Sequence, residues 1–269
     1  MITYSNSGLC AILLKLCQLR GSVFPKSMLV AAPAAAVSAM LKILIDQGLI
    51  EILEDEDSIV KDPQAWSGFS FLVGFLIIFR TSQAYARFWE GCRSTHQMRT
   101  EWYDACALLS CFCEHAKASD PSKIGAVVRF KQTLVRLFSI LHACCLAELE
   151  EINLDVGDFA GINAFTFPLI DPTSLDRDSI AALKASTTKV ELVFTWIQCL
   201  IIQQTHQGGS LTVPPPLLAK AFADVSAGMV AFNNSVKLTY IPFPFPYVQT
   251  CDCLLVLHWL VIPFVSCHW

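Results

Sequence analysis

The stretch AWSGFSFLVGFLIIFRTSQAYARFWEGCR, residues 65–93, decides the fold. Its first fifteen residues carry no charge, and Arg80 follows them directly. A helix that crosses a bilayer needs about 20 mostly apolar residues, and arginine, tryptophan and tyrosine are common where such a helix meets water. The pattern therefore predicts a membrane helix at about 65–82 that leaves the bilayer near Arg80 and continues as a helix.

The composition of the whole chain also favours a membrane protein. Hydrophobic residues make up 54% of the 269 residues, charged residues only 16%, and the mean hydropathy is +0.50. Soluble domains carry about 25% charged residues, so this chain has too few to cover its surface unless part of that surface faces lipid or partner subunits. The alternative is a soluble helical protein with a large apolar oligomer interface. The net charge of −4 gives no basic face for a nucleic acid.

Three further apolar stretches are candidate membrane helices. Residues 28–50 reach spanning length only if Lys42 faces protein or the membrane surface. Residues 250–269 form the last apolar run. Residues 190–206 are a marginal candidate because their apolar core, LVFTWIQCLII, is only eleven residues long.

The segments between these runs have other patterns. Charged residues interrupt the helical pattern of residues 83–149, which we therefore predict to be helix outside the bilayer. Residues 217–238 are predicted to be a further extramembrane helix. The segment IPFPFPYVQT, residues 241–250, alternates proline with apolar residues, and this alternation predicts an extended segment.

The sequence carries no recognisable catalytic or metal-binding pattern. It lacks GxSxG, GxxxxGK[ST], HExxH and GxGxxG, and its six histidines are scattered. None of the twelve cysteines forms a CxxC pair with a matching second pair, so a zinc site is not expected and most cysteines are interpreted as reduced packing residues. These observations predict neither an enzyme nor a cofactor nor a bound metal.

The polar half of the deciding stretch repeats arginine with aromatic residues between. Arg80, Arg87 and Arg93 recur every six or seven residues, and on a helix Arg87 and Glu90 stand at i, i+3. The residues by themselves slightly favour an interfacial anchor without a transport role over a channel.

The segment from Phe69 to Arg93 resembles the bestrophin family, in which an apolar helix runs into Phe-Arg-Thr/Asn and then Tyr-x-Arg-Trp/Phe-x-Glu-x-Arg. Further stretches look like family elements in the family's order: RGSV at 20–23, FPLID at 167–171, VELVFTWIQ at 190–198, VPPPLL at 213–218 and PFPFPYVQ at 242–249. The middle three are similar to the protist branch. The resemblance covers residues 15–269 as a single domain. Its signature positions are Arg80, Tyr85, Arg87, Trp89, Glu90, Arg93, Pro242, Pro244, Tyr247 and Gln249.

The resemblance implies an all-α membrane protein with transmembrane helices and a cytosolic helical part, arranged as a homopentamer around a central pore. Such a subunit conducts chloride or another small anion passively and without a cofactor, and its partners are copies of itself, the lipid bilayer and the anion. In family members the second membrane helix lines a narrow hydrophobic neck. The candidate neck residues here share one face of that helix: Gly68, Leu72, Leu76 or Phe75, and Phe79. By spacing from Arg80, Gly68 and Leu72 match two of the family's neck positions.

Three residues of the neck and of the proline-rich segment carry specific expectations. Gly68 is smaller than the residues usual in the neck, which argues against a tight seal at that level. Tyr247 and Gln249 are expected to support packing rather than to touch the ion.

The sequence departs from the family pattern after its last apolar run. Family members continue into a cytosolic segment with Glu-x-x-x-Pro-Phe-Gly and an Asp-rich stretch, which carries the calcium-clasp residues of the calcium-activated branch. We therefore expect a chain that is short at its C-terminus and has no calcium site. A non-conducting or truncated membrane homologue with a structural or regulatory role is the alternative function. The N-terminus shows no secretory or transit pattern, so plasma membrane and organellar membranes such as those of plastids both fit.

Overall fold

The computed structural model describes residues 21–48, 63–119, 121–150, 164, 167–171, 175–208, 211 and 213–267. Across these ranges the secondary structure is helical and contains no strand, which confirms the all-α prediction. The α-helices are α1 Phe24–Asp46, α2 Pro63–Ser119, α3 Ile124–Glu150, α4 Arg177–Ala185, α5 Lys189–Gln203, α6 Pro215–Tyr240 and α7 Phe245–Ser266. A 3-10 turn, Pro121–Lys123, precedes α3, and a π-helical turn, Gln204–Gly208, follows α5.

Some predicted segments fall partly outside the described residues. The predicted domain begins at residue 15, but residues 15–20 are not described, and the same holds for residues 49–50 of the first predicted span and 268–269 of the last. The stretch 65–93 lies within a single helix, because α2 is continuous from Pro63 to Ser119.

The proline-rich segment 241–250 is not extended as predicted. Only residues 241–244 are non-helical, and α7 begins at Phe245 rather than near residue 250. Pro246 lies in the first turn of α7, where its missing N–H has no partner to lose. The carbonyl of Pro244 instead accepts the backbone N–H groups of Tyr247 and Val248 at 3.1 and 3.3 Å.

The chain divides into two compact units. Unit one comprises residues 1–83 and 243–269 and holds α1, the first part of α2, and α7. Within it α1 packs against α7, and the indole N–H of Trp259 donates to the carbonyl of Val30 at 3.1 Å. The hydroxyls of Ser27 and Ser38 donate to carbonyls four residues earlier, so these polar side chains are satisfied within their own helix.

Four helical stretches are long and apolar enough to cross a membrane by length and composition: Phe24–Asp46, Trp66–Lys117, Pro121–Glu150 and Phe245–Ser266. In the most apolar 18 residues of each stretch, the share of residues buried by the rest of the chain is 0%, 6%, 50% and 17%, in that order. The third stretch, which contains α3, therefore uses half of its apolar window in protein packing. Its predicted place outside the bilayer fits this burial and stays a prediction.

Unit two comprises residues 84–242 and contains the rest of α2 with α3 to α6. Here α3 packs against α5 and α6, and α4 packs against α5. The core is built mainly of fully buried aliphatic and aromatic side chains, including Met98, Leu109, Leu134, Leu141, Val193, Ile197, Ile201, Val225 and Phe232.

The marginal span predicted at residues 190–206 corresponds to α5. This helix has fifteen residues, short of the roughly 20 that a span needs, and it is not among the four membrane-length stretches. Its apolar residues instead fill the core of unit two through Val190, Val193, Ile197 and Ile201.

Helix α4 is short and starts at a well-formed cap. The carboxylate of Asp176 accepts the backbone N–H of Ser179 at 2.9 Å, which satisfies an N–H group left unpaired at the helix start. Hydrogen bonds from the side chain and the backbone N–H of Ser179 hold the pKa of the Asp176 carboxyl below its usual range.

Candidate functional site

The predicted neck residues share one face of α2. At about 100° per residue, Gly68, Leu72, Phe75 and Phe79 fall within about 60° of one another around the helix. All four are exposed in the single chain, with Phe75 59% and Leu72 48% accessible. Leu76 lies beside this stripe and is half-buried. The residues Gly68, Leu72, Phe75 and Phe79 are called the exposed stripe below.

The opposite face of α2 contacts α7. Trp66 and Ser70 lie roughly 180° around the helix from the exposed stripe, and both meet His258. The Trp66 ring stacks on the imidazole with centroids 5.0 Å apart and an interplanar angle of 15°. The Ser70 hydroxyl lies 3.4 Å from His258 Nε2. At the level of Trp66 and Ser70, α2 is therefore attached to α7 by the face that points away from the stripe.

The end of the exposed stripe at Phe79 lies near the proline-rich segment 241–250. The ring of Phe79 lies 6.5 Å from that of Tyr247, and Tyr247 lies 5.8 Å from Phe243 in an edge-to-face arrangement. Tyr247 thus takes part in an aromatic cluster, while Gln249 is exposed. Pro242 and Pro244 are both exposed in the short non-helical link before α7.

Arg80 forms an ion pair with the last helix. Its guanidinium Nη1 lies 2.5 Å from Asp252 Oδ1, and the side chains of Arg80 and Asp252 are 46% and 55% accessible. The positive potential of Arg80 is therefore partly neutralised by a carboxylate on α7. The structure therefore gives Arg80 an acidic partner, Asp252.

Arg87 binds the end of α6 rather than Glu90. Its Nη2 donates to the carbonyl oxygens of Leu238 and Ile241 at 2.6 and 2.8 Å. Carbonyls in the last turn of a helix lack intrahelical partners, and a cation is favoured there by the helix dipole. The i, i+3 relation between Arg87 and Glu90 is a matter of spacing only, because the described bonds of Arg87 go to these two carbonyls.

The remaining signature residues lie on the outside of unit two. Tyr85 and Trp89 form an edge-to-face pair with centroids 6.0 Å apart, and Phe88 meets Trp89 in the same manner at 5.8 Å. All three rings are more than half accessible, and Glu90 and Arg93 are exposed as well. Exposed aromatic residues just after an apolar helix are typical of a membrane surface.

Two residues of this site were not predicted from the sequence. Asp252 and His258 lie in the last apolar run, and the structure shows them as the partners of Arg80 and of the Trp66–Ser70 pair. The signal that points to them is the presence of an ionisable residue in an otherwise apolar membrane-length helix. Over the part of the chain that the structure describes, no group of three His, Cys, Asp or Glu side chains is placed to hold a metal ion.

Comparisons with known proteins also indicate a membrane protein. A family model described as Bacterial/Fungal Bestrophin protein matches residues 7–269. No curated protein matches the chain. Two crystal structures, each described as that of a membrane protein, are similar in fold at 13% sequence identity and a TM-score of 0.62. The matches cover 91% and 89% of this chain and 77% of each of those chains.

The family match and the membrane-length helices together make the chain an integral membrane protein. The alternative of a soluble helical protein with an apolar oligomer interface is therefore wrong.

Proposed function

Because the chain belongs to the bestrophin family, we propose that it is a subunit of an anion channel that conducts chloride or another small anion passively through a central pore. The observation that carries the proposal is the exposed stripe on α2. The stripe is made of apolar residues and a glycine. Gly68, Leu72 and Phe75 face away from the contacts of Trp66 and Ser70 with α7, while Phe79 at the end of the stripe lies near Tyr247. A membrane-length helix with one face attached and the other free is suited to line a pore between subunits.

The pore is formed by several copies of the chain, and a homopentamer is the assembly we propose. A single subunit contributes one stripe, which cannot enclose a pathway. Rotational symmetry repeats the same stripe around an axis, since the subunits of a closed ring present equivalent surfaces. The lipid bilayer covers the outward apolar faces of α1 and α7, since only 0% and 17% of the residues in their most apolar stretches are buried in the single chain.

Conduction through such a pore needs no catalytic group and no cofactor. A ring of apolar side chains controls passage by drying out, while polar backbone ends and basic residues near the mouth set the preference for anions. Gly68 adds no bulk to the ring at its level, so the bulky residues Leu72, Phe75 and Phe79 form the narrower part of the neck. This account makes the protein a channel subunit rather than an enzyme.

The ion pair of Arg80 with Asp252 modifies the expected selectivity. A paired arginine presents less positive potential to a passing anion than a free one, because the carboxylate 2.5 Å away partly offsets its charge. We propose that selectivity for anions arises from several weak sources and that Arg80 is only one of them.

The test is ion efflux from liposomes that contain the purified full chain. Chloride efflux is expected to follow its gradient, with potassium efflux much slower, and cross-linking in detergent is expected to yield a pentamer. Equal or faster potassium efflux would overturn the anion channel. A pentamer that conducts neither ion would instead support the alternative, a non-conducting homologue with a structural role.

A further inference from the structure

His258 is an ionisable residue within a membrane-length helix. It lies eight residues before Ser266, the end of α7, which corresponds to about 12 Å of helix. The apolar stretch LLVL precedes it and WLVIPFV follows it. Ionisable residues at such positions are rare because burying a charge in a bilayer is costly, and where they occur they have a specific partner.

The partners of His258 are aromatic rings and a hydroxyl. Trp66 stacks on the imidazole at 5.0 Å, and Phe69 lies 5.7 Å away at an angle of 38°. The Ser70 hydroxyl lies 3.4 Å from Nε2. A stacked indole attracts a cation through its negative ring face, and a serine hydroxyl can donate to a neutral imidazole or accept from a protonated one. The surroundings therefore accommodate both protonation states.

The charged and titratable groups on the elements packed with α7 are few. In α1 they are Lys26, Lys42 and Asp46, and in the first part of α2 the charged residue is Arg80. Arg80 is paired with Asp252, six residues before His258 in α7. The remaining titratable groups of α7 itself are Tyr247, Cys251, Cys253 and, just after its end, Cys267. The described contacts of His258 are all with uncharged side chains: Trp66, Phe69 and Ser70.

We propose that His258 is a proton-binding site inside the membrane part of the protein. In the neutral state Nδ1 carries the hydrogen and Nε2 accepts the hydroxyl hydrogen of Ser70. A proton taken up from water adds to Nε2, the Ser70 hydroxyl turns so that its oxygen accepts from Nε2–H, and the imidazolium remains stacked on Trp66. No bond other than N–H forms, and the proton returns to water in the reverse step.

Proton binding has a consequence for α2. Trp66 and Ser70 belong to the helix that carries the exposed stripe, on its opposite face. An imidazolium there places a positive charge behind the stripe and reorients a hydroxyl on the same helix. Resting on the proposed function, the inference is that chloride flux is larger when His258 has bound the proton. Histidine is the side chain that commonly changes charge between pH 5 and 8.

The proton site is tested without ion conduction by tryptophan fluorescence of the full chain in lipid nanodiscs between pH 5 and 8. A protonated imidazole quenches an indole stacked on it. The wild type is expected to lose part of its fluorescence as the pH falls, and this step is expected to be absent from both His258→Gln and Trp66→Phe. A step that persists unchanged in His258→Gln would overturn the proposal.

A second measurement separates this inference from the proposed function. Chloride efflux is compared at pH 5.5 and 7.5 for the wild type and His258→Gln. The expected result is an acid-dependent increase in the wild type that His258→Gln lacks. A fluorescence step in a protein that never conducts chloride would support the proton site and contradict the channel. Equal acid dependence of chloride efflux in both proteins would overturn the link between His258 and conduction.

Discussion

The indole of Trp102 occupies the space into which a side chain at position 228 would extend. Gly228 is buried on α6, and a Cβ built on it would overlap Nε1 and Cδ1 of Trp102, which lies on α2. The same Nε1–H donates to the carbonyl of Val225, one turn earlier on α6, at 3.1 Å. This close approach joins α2 to α6 within unit two, and only glycine permits it.

Gly228→Ala is therefore expected to destabilise unit two. The added methyl group would push the indole away, strain the core and weaken the hydrogen bond to Val225. Overpacking of this kind costs about 1–3 kcal/mol. The measurement is thermal unfolding of the detergent-solubilised protein, followed by circular dichroism.

Gly125→Ala is the matched control for this change. Gly125 lies in α3, and a Cβ at that position meets nothing within 4 Å. Replacing a helical glycine by alanine at an open position stabilises by about 0.5–1 kcal/mol. Equal midpoints for Gly228→Ala and Gly125→Ala would show that the Trp102 contact is not tight.

Arg87→Gln is expected to destabilise the link between α2 and the end of α6. The variant loses the charge-assisted bonds to the carbonyls of Leu238 and Ile241. Hydrogen bonds to charged groups contribute about 1.5–3 kcal/mol. Both the unfolding midpoint and the resistance of the 238–244 segment to limited proteolysis are expected to fall.

The control for Arg87→Gln is Arg93→Gln, two turns further along the same helix. Arg93 is exposed, and a change at such a surface position usually stays within about 0.5 kcal/mol. If both variants unfold at the wild-type temperature, the carbonyl bonds of Arg87 are not what holds this link.

Substitutions at Gly68 test the exposed stripe as the pore lining. A Cβ at Gly68 meets nothing within 4 Å in its own chain, so Gly68→Ala and Gly68→Leu are expected to leave the subunit at least as stable as the wild type. In a pentamer the same side chains add bulk to the neck. Chloride efflux from liposomes is expected to fall in the order wild type, alanine, leucine, with a severalfold loss for leucine.

Gly74→Ala serves as the control for position 68. Gly74 also has open space around its Cβ, but it lies about 120° around the helix from Gly68, away from the exposed stripe. Its chloride efflux is expected to match the wild type. Efflux that is unaffected by Gly68→Leu would remove position 68 from the pore.

Asp252→Asn is expected to increase the preference for chloride over potassium. The substitution leaves the guanidinium of Arg80 without its carboxylate partner and so restores its positive potential. Because both side chains are about half accessible and water screens their charges, the expected change is modest, about twofold to fivefold. The readout is the reversal potential of currents in planar bilayers under a salt gradient.

Two further variants bracket this prediction. Asp252→Glu keeps the carboxylate and is expected to resemble the wild type. The double variant Arg80→Gln, Asp252→Asn is expected to lack the increased preference for chloride over potassium, because the arginine itself is gone. A reversal potential that Asp252→Asn leaves unchanged would show that Arg80 does not act on the permeating ion.

Parts of the fold were predictable because the responsible signal is local. The charge-free run before Arg80 and the helical pattern after it lie in one stretch of chain, and α2 is continuous there. The proline segment was predicted less well. Counting prolines indicates extended chain, but the outcome depends on where the first helical turn is placed, and Pro246 is accommodated in that turn.

The candidate site was likewise only partly predictable from the sequence. The signature arginines were found in the sequence, but their partners were not. Arg80 pairs with a residue 172 positions away, and Arg87 binds carbonyls more than 150 positions away. No spacing rule connects such distant positions, since the connection arises from the packing of helices.

The sequence by itself determined that this is a helical membrane protein of the bestrophin type, because apolar run length and a motif in order along the chain are properties of consecutive residues. Only the tertiary structure decided which face of α2 stays free and which is attached, that Arg80 is paired with Asp252, and that Trp66 and Ser70 meet His258. The physical reason is that charge neutralisation and stacking depend on distances between side chains far apart in sequence. Those distances exist only once the helices have packed.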